Sequence, residues 1–260
     1  MTSSYFVTGP DGLTPEATAV GPWSPDMLHG RFLGGLAARA LEADVGDPGW
    51  RAARMNVDLF RPAAMAPVQV ETTVLRSGRR IRVADALLVC AGHEVGRATI
   101  VMLRASEDPP GKIWRPTTDP WPEPETLPPN PEGDGPSSET WLIHTVEGGF
   151  GSGSRSRLWT NDSGCLVDDE PLSPFVRAAI SADLACPLAN SSDQGLFYIN
   201  ADYTLALGRY PIGPWIGIEV TQQIAGDGIS MATSILVDRD GPFATSTGVS
   251  LATPPLVRES

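Results

Sequence analysis

Hydrophobic and polar positions alternate with a period of two over residues 68–75, 84–89 and 94–103, and again over 215–221, 232–237 and 243–251. The breaks fall at turn residues. These are Ser77-Gly78 and Ala91-Gly92 in the first set, and Gly226-Asp227-Gly228 and Asp240-Gly241 in the second. Such runs predict an antiparallel meander, and their recurrence predicts two copies of one unit. Asn56-Val57-Asp58 and Asn200-Ala201-Asp202 open the strand ahead of each meander at a common offset, 200 − 56 = 144. A proline turn follows each, at Arg61-Pro62 and Arg209-Tyr210-Pro211.

One helix is predicted ahead of each meander, over residues 26–43 and 175–186, each introduced by Ser-Pro (Ser24-Pro25 and Ser173-Pro174). Ser suits the N-cap, and Pro suits the first helical position, where its missing N–H costs nothing. Leu28, Phe32, Leu36 and Ala40 form a buried stripe on the first helix. Gly30, Gly34 and Gly35 weaken its propensity and so predict a close approach to a sheet or a ligand. Few strands are predicted before this helix, whereas residues 139–147 and 154–160 read as a hairpin ahead of the second. Prolines crowd residues 106–138, from Pro109-Pro110 to Pro136, so that stretch can neither pair in a sheet nor continue a helix. The expected division is an N-terminal unit over 1–105, a linker over 106–138 and a C-terminal unit over 139–260. The fold class is α+β.

Composition narrows the function classes. A formal net charge of -12 argues against a nucleic-acid partner. Arg76, Arg79, Arg80 and Arg82 are the local exception, readable as a solvated hairpin end or as a clamp for coenzyme A phosphates. No apolar run reaches membrane-spanning length, and no signal peptide is evident, so no membrane association is expected. The widely spaced Cys90, Cys165 and Cys186 suit free thiols in a reducing, cytoplasmic setting. His29, His93 and His144 lack metal-ligand spacing, and neither a metal nor a cofactor is expected.

Asp183 is the strongest chemical candidate. Val176, Ala179 and Ile180 place it on the apolar face of the second helix. Burial of a carboxylate is costly without partners or a task, and desolvation would raise its pKa and make it a stronger base. A lone helical Asp is otherwise a solvated one.

Several strings carry a family likeness. In the first half they are Gly21-Pro22-Trp23-Ser24-Pro25-Asp26, His29-Gly30, Phe60-Arg61-Pro62 and Leu75-Arg76-Ser77-Gly78-Arg79. In the second they are Ala182-Asp183, Ile199-Asn200-Ala201-Asp202, Gly213-Pro214-Trp215 and Asp238-Arg239-Asp240-Gly241. In this order the chain resembles the double-hotdog thioesterase-like superfamily, particularly actinobacterial proteins related to acyl-CoA thioesterase II. The resemblance implies a tandem hotdog, each half a central helix wrapped by a curved antiparallel sheet, acting on an acyl-CoA or carrier-bound acyl thioester. It also implies that Asp183 activates the hydrolytic water as general base, with Asn200 holding that water, since Ile199 stands where the family has Thr. The family's last-strand Gln falls on Val249, with Thr247 or Ser250 as polar neighbours. Where the family reads His-Gly-Gly, this chain reads His29-Gly30-Arg31. First-turn N–H groups there would polarise the acyl carbonyl, and Arg31 would bind a carboxylate or phosphate or point outward. The alternative reading keeps the acyl site without hydrolysis: a binding protein, or an enzyme that cyclises or dehydrates a polyketide-like chain. A homodimer or higher homo-oligomer is expected through exposed strand edges.

Overall fold

The computed structural model describes residues 4–114, 119–130 and 140–254. The first half comprises β1 (Ser4–Gly9), β2 (Gly12–Pro15), α1 (Gly30–Val45), β3 (Trp50–Leu59), β4 (Val68–Ser77), β5 (Ile81–Cys90) and β6 (His93–Arg104). The second half begins with β7 (Trp141–Glu147), β8 (Arg157–Asp162), β9 (Cys165–Val167), α2 (Pro174–Ala182) and α3 (Ala185–Ala189). A small hairpin follows, β10 (Ser191–Ser192) and β11 (Gly195–Leu196), and then β12 (Tyr198–Asn200) and β13 (Asp202–Leu207). The chain closes with β14 (Ile216–Gly226), β15 (Ile229–Asp238) and β16 (Gly241–Ala252). The meanders lie where the alternation places them. Two of their hairpins turn through consecutive positive φ angles, at Ala91-Gly92 (49° and 75°) and Asp227-Gly228 (53° and 74°). That backbone matches the twist of the flanking strands.

The register of the repeat differs from the one the Asn-x-Asp segments suggest. The helical segments are related by 174 − 30 = 144 and 189 − 45 = 144, but the meanders by 216 − 68 = 148 and 252 − 104 = 148. The second half has four extra residues between helix and strand, where β10 and β11 form. Asn56 is therefore equivalent to Thr204, not to Asn200. The two face each other where β3 pairs with β13, and Thr204 Oγ1 donates to Asn56 Oδ1 at 2.7 Å.

Both helix expectations need correction. Residues 26–29 are not helical, because their backbone is claimed by distant chain: Leu28 N–H donates to Ala63 O and His29 N–H to Ala19 O. The helix starts at Gly30, with His29 as its N-cap. The second helix starts as predicted, Ser173 Oγ accepting from Val176 N–H, but it breaks at Asp183-Leu184. Pro187 lacks the N–H that would bond the Asp183 carbonyl four residues back. That carbonyl instead accepts from Asn200 Nδ2 at 3.1 Å.

One sheet runs in the order β7-β8-β14-β15-β16-β13-β3-β6-β5-β4-β2-β1-β9. Strand β9 at one end and β8, second from the other end, are separated in the chain only by Ser163 and Gly164, so the sheet must curl until they meet. Tyr5 of β1 closes the seam, donating to Asp162 of β8 at 2.9 Å. The predicted scarcity of strands before α1 misses β1 and β2. These strands are too short to show a period, yet they bury Tyr5 and Phe6 against Phe32. Inside the curl, α1 packs on α2. A Cβ on Gly35 would lie 2.6 Å from Ile180 Cγ1, and one on Gly34 would lie 1.7 Å from the Tyr203 hydroxyl, so both glycines serve close packing. Within the described part of the proline-rich stretch, Trp121 packs on Trp159 and Pro122 O accepts from Trp159 Nε1 at 3.0 Å. The stretch thus lies against β8; residues 115–118 and 131–138 of it fall outside the described residues.

Candidate active site

A cavity of about 800 Å³ opens at the start of α1. His29, Gly30 and Leu33 form one wall, and Asp183, Leu184 and Pro187 at the helix break form another. Leu59, Phe60, Phe150, Leu196 and Tyr198 make the rest largely apolar, and the exposed Arg61 is the cation among the lining residues. Asp183 comes to this place because Pro187 ends the helix there, leaving the residue on the inward face but free of the helical ladder.

Asp183 is 3% exposed. Burial raises its pKa from 3.8 to about 6, while the Asn200 amide and the Arg31 charge hold it down. Asn200 Nδ2 donates to Asp183 Oδ1 at 3.0 Å, so the second carboxylate oxygen is left for a proton or a water. A Cβ on Gly30 would sit 3.8 Å from both carboxylate oxygens. The missing side chain thus opens a gap between the carboxylate and the first turn of α1. There Arg31 N–H is taken by His29 Nδ1 and Phe32 N–H by His29 O, and Gly30 N–H has no protein acceptor among the described residues. A base and a helix N-terminus therefore face one small space from opposite sides.

His29 is a neutral base here, not a cation. Its Nδ1 accepts from Arg31 N–H at 3.3 Å, and burial, reinforced by the Arg31 charge, pushes its pKa well below 6.5. Arg31 is turned away from the cavity. Its guanidinium pairs with Asp162 at 2.7 Å and lies 3.7 Å from the Trp141 ring centroid. The expected contact with substrate is replaced by a buried anchor of α1 to β8, because Asp162, itself buried, needs a cation.

The last strand is placed differently from the expectation that set Val249 and Thr247 at the substrate. The pleat turns Ser246, Gly248 and Ser250 inward, and Val249 is exposed. Thr247 meets the Thr233 hydroxyl at 3.0 Å, and neither residue lines the cavity. Ser250 Oγ instead donates to Asn200 Oδ1 at 3.2 Å. The structure thus brings together Asp183, Asn200, His29 and Gly30, and leaves Arg31, Thr247 and Val249 outside. Sequence reasoning misses Asn190, Ser230 and Gln223, which stand behind Ser250. The in–out alternation of β16 is the signal that would have favoured Ser250.

The family model for an acyl-CoA thioesterase N-terminal domain matches residues 19–103, and that for an acyl-CoA thioesterase C-terminal domain matches residues 106–252. A hot dog fold protein of unknown function from Alicyclobacillus acidocaldarius superposes with a TM-score of 0.74 at 16% identity, covering 93% of this chain and 92% of its own. The tesB protein of Mycobacterium avium subs. paratuberculosis gives 0.69 at 16%, covering 90% and 95%. An acyl-CoA thioesterase II from Mycobacterium marinum gives 0.66 at 16%, covering 89% and 91%. At these identities the likeness shows the hotdog fold. No curated protein matches the sequence.

Proposed function

The chain belongs to the acyl-CoA thioesterase family, and on that premise we propose that it hydrolyses an acyl-CoA or carrier-bound acyl thioester in the cavity beside Asp183. The family places it among thioester hydrolases. The residue roles are our own reading, and one observation carries them: a buried carboxylate faces the N-terminus of α1 across the gap left by Gly30. The acyl chain lies against Leu33, Phe60 and Phe150, and its carbonyl oxygen points at the Gly30 N–H and the positive end of α1, where developing negative charge is stabilised. Asp183 takes a proton from a water as that water attacks the carbonyl carbon. Collapse of the tetrahedral adduct breaks the C–S bond. The proton then passes to the departing thiolate, giving a free acid and a thiol. Asn200 holds Asp183 in place, and Arg61 at the rim suits a phosphate-bearing carrier.

The proposed architecture is a tandem hotdog, divided at 1–105, 106–138 and 139–260, with one working site. Three free, buried cysteines support a reducing, cytoplasmic setting. No helix among the described residues is long and apolar enough to cross a membrane. The test is release of free thiol from acyl-CoAs of graded chain length, by the native protein and by Asp183→Asn. Release abolished by the substitution is expected. Ligand retention without release at any length would favour the second reading, in which the cavity binds, cyclises or dehydrates an acyl chain.

A further inference from the structure

Behind Asn200 lies a buried polar chain that the hydrolytic reading does not use. Ser250 Oγ donates to Asn200 Oδ1 at 3.2 Å, and Asn190 Nδ2 approaches Ser250 Oγ at 3.5 Å. Asn190 Oδ1 in turn accepts from Ser230 Oγ at 2.6 Å and from Gln223 Nε2 at 3.2 Å. Asn190, Ser230 and Ser250 are all buried. The donors run from β14 and β15 through α3's C-cap and β16 to the carboxylate, and the un-ionised Cys186 thiol, which also meets the Ser250 hydroxyl, can donate into the same chain. Ser230 and Gln223 fix which end of the Asn190 amide is oxygen. That leaves its nitrogen for Ser250, which frees the Ser250 proton for Asn200 Oδ1. The Asn200 nitrogen is then the end presented to Asp183.

We infer that Ser250 and Asn190 are positioning residues whose chain of hydrogen bonds locks the Asn200 amide with its N–H groups toward Asp183. A flipped Asn200 would put a carbonyl oxygen against the carboxylate, which repels the ionised base the site needs. The chain opposes that flip at every link, and linked bonds polarise one another. The other groups that bear on Asp183 are the charge of Arg31, the neutral His29 on the cavity wall, and the un-ionised Cys186 and Tyr203, whose pKa values burial raises. None of these contributes a donor to Asn200 Oδ1 among the described residues.

The kinetic arm of the test rests on the hydrolytic reading, but the titration arm does not. Asp183 is titrated by carboxyl carbon NMR in the native protein, in Ser250→Ala and in Ser246→Ala. Ser246 is a buried hydroxyl of the same strand that bonds the Ala182 carbonyl instead. Removing Ser250 should move the Asp183 midpoint upward from about 6. It should also lower kcat roughly three- to tenfold near pH 6.5 with KM unchanged, the size expected for one hydrogen bond. Ser246→Ala should leave the midpoint in place. A Ser250→Ala titration that superimposes on the native curve, or a rise in KM alone, overturns the inference. Should Ser250→Ala fail to fold, Ser230→Ala, one link further out, must show the same upward shift in weaker form, and a native midpoint there overturns it equally. If the native protein releases no thiol, the hydrolytic reading falls while the titration still decides this one.

Discussion

At the start of α1 the chain reads His29-Gly30, and at the equivalent start of α2 it reads Ser173-Pro174. The offset that relates the helices sets Asp183 against Arg39 (183 − 144 = 39), and the one that relates the strands sets Asn200 against Ala52 (200 − 148 = 52). Around Gly30 these positions leave a cavity with a buried base. Around Pro174 they fill the space. Ser173 Oγ donates to Glu42 at 2.5 Å, Arg39 grips Glu170 with two bonds of 2.6 and 2.7 Å, and the Tyr210 hydroxyl accepts from Ala52 N–H at 2.9 Å. Pro174 also removes an N–H that a substrate carbonyl would need and puts a ring where Gly30 leaves nothing. Two equivalent helix starts in one fold thus diverge into a cavity and a plug, and the difference rests on a few side chains.

Neutralising the base should break this contrast most sharply. Asp183→Asn removes the proton acceptor, so kcat should fall by about 10²- to 10⁴-fold. Native activity should itself decline as pH drops through about 6, where the raised carboxyl takes up its proton. The same substitution should stabilise the fold. The folded pKa lies above the unfolded one, so the native state prefers the protonated acid. At pH 7 both states hold Asp183 ionised, and burying that charge costs stability. A gap from 3.8 to about 6 corresponds to about 3 kcal/mol. The amide of the Asp183→Asn variant would escape that cost at pH 7, and its advantage should fade as pH falls through the window and vanish below about 4. Thermal melts of both proteins at pH 4 and pH 7 check the sign, and an advantage independent of pH would contradict it.

The glycines of α1 separate space kept for chemistry from space used for packing. A Cβ on Gly30 meets nothing closer than 3.8 Å, whereas one on Gly34 would overlap the Tyr203 hydroxyl. Gly30→Ala should therefore fold normally yet lose roughly tenfold or more in kcat, because a methyl occupies the gap where water and carbonyl meet. Gly34→Ala should cost about 1–3 kcal/mol through forced repacking. Chemical denaturation with initial rates distinguishes the two. Equal loss of stability in both would mean that Gly30 too is only a packing residue.

At the filled start, the expected changes are smaller and confined to stability. Ser173→Ala loses both the cap on Val176 N–H and the bond to Glu42, and should cost about 1 kcal/mol. Initial rates should be unchanged at a temperature where both proteins are folded. A change in acyl-chain preference would show that the second helix start still communicates with the cavity.

How much of this was legible depended on whether the controlling contact is local. The meanders announce themselves through alternation and Gly turns, and Ser173-Pro174 marks its helix start, because caps and turns act within a few residues. Ser24-Pro25 carries the same signal and fails. Pairing of residues 27–28 with residues 63–64, far along the chain, overrides it. The side of β16 that faces Asn200 was also hidden, since a shift of one residue turns every side chain of a strand over. Matching Asn200 to Asn56 could not reveal the four extra residues of the β10–β11 hairpin. Asp183 was legible because its neighbours on the helix are apolar. The role of Pro187 in freeing its carbonyl was not, because that needs the Asn200 side chain to arrive from another strand.

The smallest expected effect concerns the most conspicuous ion pair of the filled site. Arg39 and Glu170 bond through both oxygens, but their side chains are 33% and 55% exposed, so water and salt screen them. Arg39 holds the Glu170 carboxyl below its ordinary pKa. Its contribution is thus present above the usual glutamate range and is lost as pH falls through the lowered value. A double-mutant cycle of Arg39→Ala and Glu170→Ala should give a coupling of about 0.5 kcal/mol at low salt, shrinking toward zero in 1 M salt. A salt-resistant coupling of about 2 kcal/mol or more would mean that electrostatics keep the second site closed. The small value would leave closure to Pro174, Tyr210 and the Ser173 cap. In that case, opening a second site would require replacing the helix start itself, because removing its charges would not suffice.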